Sequence, residues 1–341
     1  MGNQASDSNA KRPRLAISLG DPAGIGGEVT LKAMASWRGR DDAPVLVGCR
    51  RWLENVYQNL KAGSQIPCAD PAELEMLDLP LAEPITAGAP NASSGSASFL
   101  WLTAATELVQ SQRCQALVTA PIAKQFWHAA GHHYPGQTER LAELAGAREA
   151  SMLFTARSPQ TGWRLNTLLA TTHIPLSEVP EKLSAERVLQ KLEVLRDFCE
   201  RFNPRPRLAV AGLNPHAGEA GRLGQEEQDW LMPALDHWQQ QHPHCSLVGP
   251  LPPDTCWLSA GQAWREEHSA EQAPDGYLAL YHDQGLIPVK LLAFDQAVNT
   301  SLGLPFLRTS PDHGTGFDIA GRGIARSQSM EAAIKAALEL G

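Results

Sequence analysis

The chain has 341 residues, which is more than one hydrophobic core usually holds, so its length predicts two domains. With 43% hydrophobic and 19% charged residues, its composition excludes a globally disordered chain. The formal net charge of −8 argues against nucleic acid as a partner, and the lack of any apolar run near the ~20 residues of a membrane helix argues against a membrane protein.

The cysteines and the N-terminal segment indicate the cellular compartment. The segment is polar and has no apolar stretch typical of a signal peptide. The sequence has six cysteines without a CxxC pair: Cys49, Cys68, Cys114, Cys199, Cys245 and Cys256. These features predict reduced thiols in a cytoplasmic protein, with a disordered tail over residues 1–13.

Apolar runs and helical patterns alternate along the rest of the chain. The runs predict strands at residues 15–19, 44–48, 116–119, 152–155, 165–171, 207–213, 277–281 and 289–294. Helical patterns cover residues 28–37, 52–60, 98–110, 124–130, 185–202, 225–240 and 330–340, and another helix opens at 135–139. Residues 61–95 are predicted as loops with at most a short strand, and 303–325 as a glycine-rich tail segment. The alternation predicts an α/β fold with a largely parallel sheet.

A glycine-rich turn follows the first predicted strand. Its sequence, GDPAGIGG at residues 20–27, precedes a helix but does not match the GxGxxG fingerprint of Rossmann dinucleotide sites. Such a turn either binds an anion at the helix N-terminus or only connects strand to helix, and the sequence leaves both interpretations open.

Three histidines directly follow predicted strands. His173, His216 and His282 each lie near a proline or glycine at a strand end. In a parallel sheet the strands are ~4.8 Å apart and their carboxyl ends share one edge, so the three imidazoles can converge there. Three imidazoles with an open fourth position form a common catalytic metal site. The pattern predicts a divalent metal, with Asp254 and Asp283 as candidates to accept hydrogen bonds from the outer ring nitrogens.

Other residues carry weaker signals. A single histidine at a strand end is more often a structural hydrogen-bonding residue than a ligand. Lys290 and Arg308, downstream of the histidines, suit a phosphate or carboxylate substrate, with surface salt bridges as the alternative. The cluster of His242, His244 and Cys245 lacks the spacing of a standard metal site and is interpreted as a loop.

Several long motifs are spread along the chain. They are GDPAGIG (20–26), TTHIPL (171–176), GLNPHAGE (212–219), LPPDT (251–255), YHDQG (281–285), LGLPFLRTS (302–310) and DHGTGFDIAGRG (312–323), together with Lys290 and Asn299. These motifs resemble those of the 4-hydroxythreonine-4-phosphate dehydrogenase family of vitamin B6 biosynthesis. The resemblance covers nearly the whole chain from about residue 15 onwards.

The resemblance implies a fold and an assembly. The family's fold is a two-domain α/β/α arrangement with mostly parallel sheets, like that of isopropylmalate and isocitrate dehydrogenases, and has an active-site cleft between the domains. We therefore expect a nucleotide-side domain at residues 14–140 plus 300–341, and a metal-site and dimerisation domain at residues 141–299. We also expect a homodimer with the active site at the subunit interface.

The resemblance also implies the chemistry. The family uses a divalent metal (zinc, magnesium or cobalt) and NAD or NADP to oxidise and decarboxylate 4-phosphohydroxy-L-threonine to 3-amino-2-oxopropyl phosphate. The implied metal ligands are His173, His216 and His282. The implied substrate contacts are Gln137, Thr138, Lys290, Asn299 and Arg308, and the implied catalytic groups are Lys290, Asp254 and Asp283. The implied cofactor-binding residues are His313, Gly314, Thr315 and Asp318, in a segment that resembles the adenosine-binding loop of isopropylmalate and isocitrate dehydrogenases.

Gln137 departs from the family pattern. The family has GHTE where this chain has GQTE at residues 136–139. Glutamine exchanges hydrogen bonds but cannot gain a proton near neutral pH. This departure leaves open a second substrate, a phosphorylated sugar acid such as D-threonate or D-erythronate 4-phosphate.

Other activities are compatible with the residues alone. A metal-dependent hydrolase or aldolase also uses histidines and acids but needs no nicotinamide. A non-catalytic protein that binds a metal or phosphate is a further alternative, and phosphate acyltransferases share the fold class but are expected to lack the three histidines.

Overall fold

The computed structural model describes residues 14–37, 43–63, 66–147 and 149–341. The predicted disordered tail at residues 1–13 lies outside these ranges. Within them, strands and helices alternate in the order expected of an α/β fold. No helix in this part of the chain combines the length and the apolar composition needed to cross a membrane.

Strands and helices are labelled in chain order. The strands are β1 (Leu15–Ser18), β2 (Val45–Gly48), β3 (Met76–Asp78), β4 (Ala116–Thr119), β5 (Ser151–Arg157), β6 (Arg164–Leu169), β7 (Arg207–Ala211), β8 (Ser246–Leu251), β9 (Gly276–Ala279), β10 (Val298–Leu302) and β11 (Leu307–Pro311). The α-helices are α1 (Gly26–Ala33), α2 (Arg50–Gly63), α3 (Ala92–Gln110), α4 (Lys124–Ala129), α5 (Gln137–Ala145), α6 (Val179–Lys182), α7 (Ala185–Cys199), α8 (Met232–Gln241), α9 (Leu258–Arg265), α10 (Glu267–Ala270), α11 (His282–Ala293) and α12 (Gln328–Leu340). Short 3₁₀ turns occupy Pro71–Glu73, Leu176–Glu178 and Pro215–Gly218, and a π-helical segment, Glu227–Leu231, precedes α8.

The chain divides into two compact units. The first unit comprises the described residues up to 147 together with Leu304–Gly341, and the second comprises Glu149–Gly303. The strand order in the first unit is β3-β2-β1-β4-β11, and all neighbours are parallel. The order in the second unit is β10-β5-β6-β9-β7-β8. There, β5 pairs antiparallel with β10 and β6, and the remaining neighbours are parallel.

Local sequence explains the central elements. β1, β2 and β4 are short apolar runs in which every residue is buried, as expected for parallel strands covered on both faces. α3 begins with a capping box in which the side chains of Asn91 and Ser94 each accept a hydrogen bond from the other's backbone N–H. The prediction of an α/β fold with mostly parallel strands is confirmed.

One predicted strand is wrong. Residues 289–294 belong mostly to α11 rather than to a strand. Within α11, the buried Leu286, Val289 and Ala293 recur with a helical period, whereas Ile287 and Leu291 are exposed. A short apolar run has no unambiguous period, so the sequence could not separate a buried strand from a helix with two apolar faces.

Three strands, β8, β10 and β11, were not predicted; β10, with the sequence VNTSL, is polar at three of its five positions. No element was predicted at β8, which is an exposed strand at the end of its sheet and contains Pro250, a residue that only an edge strand tolerates well. β11 fell inside the predicted glycine-rich tail segment because its sequence, LRTSP, is polar. Arg308, Thr309 and Ser310 are nevertheless buried, so this strand is stabilised by polar contacts that a hydrophobicity pattern does not reveal.

A buried ion pair fastens the glycine-rich tail segment to α1. We call Glu28 and Lys32 the α1 clamp; their side chains are 4% and 3% exposed, and Lys32 Nζ is 2.8 Å from Glu28 Oε1. Lys32 Nζ also donates to the carbonyl oxygens of Gly323 and Ala325 at 3.0 and 2.7 Å, and Glu28 Oε1 accepts from Ala325 N at 2.8 Å. Removing one partner of such a pair typically costs ~3–5 kcal/mol because the other charge stays buried.

Candidate functional site

The three histidines of the predicted metal site follow neighbouring strands of the second unit. β6, β9 and β7 lie side by side and run parallel, so their carboxyl ends reach the same edge of the sheet. His173, His216 and His282 each lie within five residues of the end of one of these strands. Ligands of open α/β sheets bind at this edge. The order of the strands therefore brings the three segments together, although they are distant in sequence.

His173 and His282 are neighbours. Their ring centroids are 5.4 Å apart, and the ring planes make an angle of 45°. His282 is the first residue of α11, and its Nδ1 lies 2.7 Å from Asp283 Oδ1. A carboxylate at Nδ1 accepts the N–H and thereby selects the tautomer in which Nε2 carries the lone pair. Asp283 thus orients the His282 ring and leaves Nε2 as the nitrogen able to bind a metal.

His216 lies in a strained turn after β7, which we call the His216 turn (residues 214–219). His216 and Ala217 have φ angles of 52°, and Glu219 has φ 44°, all in the left-handed region. Non-glycine residues rarely adopt this conformation, which costs ~1–3 kcal/mol each and is found mainly at functional sites. The exposed His216 ring has its Nδ1 3.9 Å from Oδ1 of Asp254, which follows β8.

Glu227 holds the His216 turn in place. Its carboxylate is buried, and Oε1 accepts hydrogen bonds from the backbone N–H groups of Leu213 and Asn214 at 2.8 and 2.7 Å. Its Oε2 accepts from Asn214 Nδ2 at 2.9 Å. A Cβ on Gly218 would lie 2.8 Å from that oxygen, so glycine is needed there. The sequence offers no signal for this role, because Glu227 is the second of two adjacent glutamates near the start of a predicted helix.

Gln284 ties two of the strand ends together. The side chain is buried, its Oε1 accepts from Leu280 N at 2.7 Å, and its Nε2 donates to Gly212 O at 2.7 Å. These bonds join the end of β9 to the segment that follows β7. Gln284 therefore fixes the segments that carry His282 and His216 relative to each other, and its polar groups are satisfied within the protein.

The donor set of this edge fits a divalent metal. Imidazole suits zinc or cobalt better than magnesium. The adjacent rings of His173 and His282 and the tautomer selected by Asp283 are features of metal-binding histidines. The ring nitrogens of the three histidines do not all lie within 4.8 Å of one another. Among the described residues, the group of possible ligands that meets this distance is Glu200, His244 and Cys245.

Lys290 and Asn299 also lie in the second unit. Lys290 is on α11, about two turns after His282, and its Nζ is 5.8 Å from the centre of the Phe294 ring. Asn299 is on β10, and its Oδ1 is buried without a hydrogen bond to any residue that the structure describes. A buried oxygen without a donor costs ~1–3 kcal/mol, which favours a ligand that supplies one.

Arg308 is a buried cation in the first unit. It lies on β11 beside β4 and is 3% exposed. Its Nε and one terminal nitrogen donate to Thr119 Oγ1 at 3.0 and 2.7 Å. Burial lowers the pKa of Arg308 to about 10, while the Glu139 carboxylate acts in the opposite direction, so the guanidinium is charged at neutral pH. A fixed guanidinium of this kind suits a phosphate or carboxylate.

Gln137 and Thr138 open α5, whose N-cap Gly136 offers no side-chain cap. Gln137 Nε2 donates to the carbonyl oxygen of Ala120, just after β4, at 3.2 Å. Gln137 Oε1 is buried and has no hydrogen-bond partner within the described residues. Because the donor side of the amide is engaged, Gln137 presents an acceptor at a position where the family pattern has a histidine.

The glycine-rich turn after β1 supports the predicted cofactor-binding segment. The carbonyl oxygen of Thr315 accepts a hydrogen bond of 2.9 Å from Ile25 N. A Cβ on Gly24 would lie 2.7 Å from the same oxygen, so only glycine allows this approach. Of the two interpretations of this turn, the contact supports a strand-to-helix connection that also seats the segment after β11.

The other predicted cofactor-binding residues lie in the same segment. His313 Nδ1 is 2.9 Å from Gly314 O, and His313 Nε2 is buried without a partner in the described part of the chain. A Cβ on Gly314 would meet no atom within 4 Å, and Asp318 is exposed. An unpartnered buried ring nitrogen beside open space fits a segment that binds a polar ligand such as a nucleotide.

Comparison with known proteins identifies the family. A family model described as "Pyridoxal phosphate biosynthetic protein PdxA" matches residues 40–337. The 4-hydroxythreonine-4-phosphate dehydrogenase of Synechococcus sp. (strain RCC307) is 66% identical over 96% of this chain and 99% of that protein. The D-threonate 4-phosphate dehydrogenase of Salmonella typhimurium (strain LT2) is 40% identical over 96% of this chain and 98% of that protein.

A solved structure agrees with the sequence comparisons. The crystal structure of 4-hydroxythreonine-4-phosphate dehydrogenase from Klebsiella pneumoniae matches with a TM-score of 0.81 and 36% identity, covering 98% of this chain and 99% of that one. The resemblance inferred from the motifs is confirmed. The chain belongs to the PdxA family, whose similar members are named 4-hydroxythreonine-4-phosphate dehydrogenase.

Proposed function

We propose that this chain is a cytoplasmic, NAD(P)-dependent dehydrogenase that oxidises 4-phosphohydroxy-L-threonine and releases carbon dioxide, giving 3-amino-2-oxopropyl phosphate for pyridoxal phosphate synthesis. The observation that carries the proposal is the row of three parallel strands whose ends bear His173, His282 and His216. Membership of the PdxA family and 66% identity to a relative named for this substrate support it.

The second unit supplies the residues for a metal and for proton transfer. His173, His216 and His282 would hold a divalent ion, and the histidine set favours zinc or cobalt over magnesium. A metal bound there would supply Lewis acidity toward the substrate's hydroxyl oxygen. Asp283 orients the ring of His282 through Nδ1, and Asp254, whose Oδ1 lies 3.9 Å from His216 Nδ1, is the candidate to do the same for His216.

Lys290 and Asn299 act on the substrate from the same unit. Lys290 is the candidate to bind the substrate carboxylate or to carry a proton, because an ammonium group both pairs with anions and changes its charge more readily than a guanidinium. The unpartnered Oδ1 of Asn299 accepts a hydrogen bond from a hydroxyl or ammonium group of the substrate.

In the first unit, the proposal assigns anion binding to Arg308. Its buried, charged guanidinium is held by Thr119 and suits the substrate phosphate. Gln137 and Thr138 add one acceptor and one hydroxyl at the start of α5. His313, Gly314, Thr315 and Asp318 are the proposed cofactor-binding residues. The nicotinamide, when bound, would accept the hydride.

A homodimer is part of the proposal, and the outer face of α11 supports it. Ile287, Leu291 and Phe294 are 59%, 81% and 60% exposed and lie on one face of the helix that begins with His282. Clustered large apolar side chains on a surface mark interaction sites. A second copy of the chain covering this face would place the dimer interface next to the proposed metal ligand His282.

A second substrate is favoured by Gln137. Its free acceptor stands where the family pattern has a histidine, and a relative that is 40% identical is named D-threonate 4-phosphate dehydrogenase. D-Threonate 4-phosphate keeps the phosphate and an oxidisable hydroxyl but has a hydroxyl in place of the ammonium group. An acceptor can receive a hydrogen bond from either group.

One assay separates these proposals. Purified, metal-loaded protein is offered 4-phosphohydroxy-L-threonine, D-threonate 4-phosphate and D-erythronate 4-phosphate with either nucleotide, and reduced nicotinamide is followed by absorbance. The proposal expects the highest kcat/KM with 4-phosphohydroxy-L-threonine. Preference for a sugar acid would support the second candidate, and turnover without nucleotide reduction would instead indicate a hydrolase or aldolase.

A further inference from the structure

A second group of metal-binding side chains lies at the opposite edge of the second unit's sheet. Glu200 directly follows α7, and His244 and Cys245 directly precede β8. β8 has six residues, so at ~3.3 Å per residue its start is ~20 Å from its end, where the chain leads to Asp254. The group is therefore separate from the histidines at the carboxyl ends of the strands.

The donor atoms of this group are already close to a metal-binding arrangement. The carboxylate, imidazole and thiol donors of Glu200, His244 and Cys245 all lie within 4.8 Å of one another. His244 Nε2 is 2.9 Å from Glu200 Oε1. In a tetrahedral zinc site with bonds of ~2.0–2.3 Å, neighbouring donors are ~3.3–3.8 Å apart. Side-chain movements on the order of 1 Å would therefore close the site around an ion.

The surrounding charges favour a cation. The carboxylates of Glu193, Asp197 and Glu200 all lie against the guanidinium of Arg196. Arg196 pairs closely with Glu193 and Asp197, and its Nε is 3.6 Å from Glu200 Oε1. The charge of Arg196 is thus shared among three carboxylates, so it offsets the charge of Glu200 only in part.

We propose that Glu200, His244 and Cys245 form a second divalent-metal site, suited to zinc, with water as the fourth ligand. A thiolate combined with an imidazole selects zinc over magnesium or calcium. Binding would release the proton of the Cys245 thiol to solvent, and the proton that His244 Nε2 donates to Glu200 would move to Nδ1 by tautomerisation, so that Nε2 offers its lone pair to the ion. It would fasten the end of α7 to the start of β8, a strand at the end of its sheet. The role is structural and is independent of the proposed dehydrogenase activity.

Metal content gives the first test. Protein equilibrated with zinc and freed of excess metal is analysed by inductively coupled plasma mass spectrometry. Glu200→Gln and His244→Ala, at partly exposed positions, and Cys245→Ser should each bind one zinc fewer per chain than the unmodified protein. His268→Ala, at an exposed position outside the group, is the matched control and should lose none. Equal zinc content in His244→Ala, Cys245→Ser and the unmodified protein would overturn the proposal.

Cobalt spectroscopy distinguishes this site from a metal bound by the strand-end histidines. A cobalt–thiolate bond produces a near-ultraviolet charge-transfer band, whereas a site of three imidazoles has no sulfur ligand. Cobalt-loaded protein and the His282→Ala variant should show the band, and Cys245→Ser should lack it. Absence of the band from the unmodified protein, or its persistence in Cys245→Ser, would contradict the assignment.

Stability and activity measurements check the structural role. Zinc should raise the melting temperature of His282→Ala, in which the strand-end set is broken, and should have no such effect on the double variant His244→Ala/His282→Ala. With saturating zinc, kcat of His244→Ala should stay within twofold of the unmodified enzyme. A zinc-induced shift that persists in the double variant would show that the ion binds elsewhere.

Discussion

The α1 clamp and the His216 turn hold polar side chains in opposite ways. Glu28 and Lys32 are almost fully buried, and each is satisfied by the other and by backbone groups of the segment that they fasten. His216 is exposed, and its backbone lies in a region that costs energy for any residue other than glycine. The polar contacts of the clamp stabilise the fold, whereas the backbone of the turn is strained and places an exposed imidazole at a strand end.

This difference predicts which property of the protein a mutation in each region should change. Loss of a clamp residue leaves a buried charge, so its effect should appear in the free energy of unfolding. Loss of His216 removes no buried contact, so its effect should appear in metal binding and turnover. Substitutions at five positions test this contrast and the proposed site, in order of decreasing expected effect.

Replacing His216 by alanine should abolish metal-dependent turnover and change the free energy of unfolding by less than ~0.5 kcal/mol. Replacing it by glycine should abolish turnover equally but yield a protein ~1 kcal/mol more stable than the alanine variant, because glycine adopts the left-handed conformation without strain. Metal titration, steady-state kinetics and urea unfolding measure these effects. Full activity of either variant after chelation would remove His216 from the metal site.

Replacing Lys32 by methionine should lower the free energy of unfolding by ~3–5 kcal/mol, because Glu28 would stay buried without its partner. The folded fraction should keep its kcat. Lys182→Met, at an exposed position on α6, is the matched control and should change the free energy by less than ~0.5 kcal/mol. Similar urea midpoints for the two variants would show that the clamp contributes little.

Replacing Leu291 by aspartate should dissociate the proposed dimer, since a charge in the centre of an apolar interface typically costs more than ~2 kcal/mol of binding. Light scattering coupled to gel filtration gives the mass. The same substitution at Leu100, an exposed residue of α3 in the first unit, should leave the dimer intact. A dimeric Leu291→Asp protein would place the interface elsewhere.

Replacing Asp283 by asparagine should weaken metal affinity by ~10–100-fold with little change in stability, because the amide no longer selects the His282 tautomer as strongly. Competition with a chromophoric chelator measures the affinity. Asp236→Asn, at an exposed position on α8, should bind metal like the unmodified protein. An unchanged affinity in Asp283→Asn would mean that the ring is oriented by other groups.

Replacing Glu226 by glutamine should have a small, pH-dependent effect. The pKa of Glu226 is lowered by its own backbone N–H and by Asn214 Nδ2 in the His216 turn, against the effect of burial. A lowered folded-state pKa means that the carboxylate contributes stability above the ordinary glutamate pKa and loses it as the pH falls through the lowered value. Urea unfolding at neutral pH should therefore favour the unmodified protein, and the difference should vanish in acid. A difference independent of pH would exclude this contribution.

Parts of the fold that rest on apolar runs were predictable. β4 was predicted with its observed bounds, and α3 and α7 were predicted over most of their length, because buried runs and helical periods are local signals. The strand-end histidines were also predictable, since polar residues after apolar runs in a parallel sheet share one edge.

What could not be predicted depends on partners distant in sequence. Lys32 looked like an ordinary helical lysine, although its partners lie 291 and 293 positions away. β11 has a polar sequence, and its buried polar side chains find distant partners, Arg308 in Thr119 of β4 and Thr309 in Ala333 of α12. His244 and Cys245 were interpreted as a loop because they lack the spacing of a standard metal site, and the contact of His244 with Glu200 spans 44 positions. Spacing along the chain carries no information about such contacts.

The most direct test of the central claim is anomalous diffraction from crystals of the zinc- or cobalt-loaded protein, collected at the metal absorption edge. The account predicts a strong peak bound by His173, His216 and His282, with metal–nitrogen distances of ~2.0–2.1 Å, separate from any peak at Glu200, His244 and Cys245. A fully loaded crystal with no anomalous density among these three rings would contradict it.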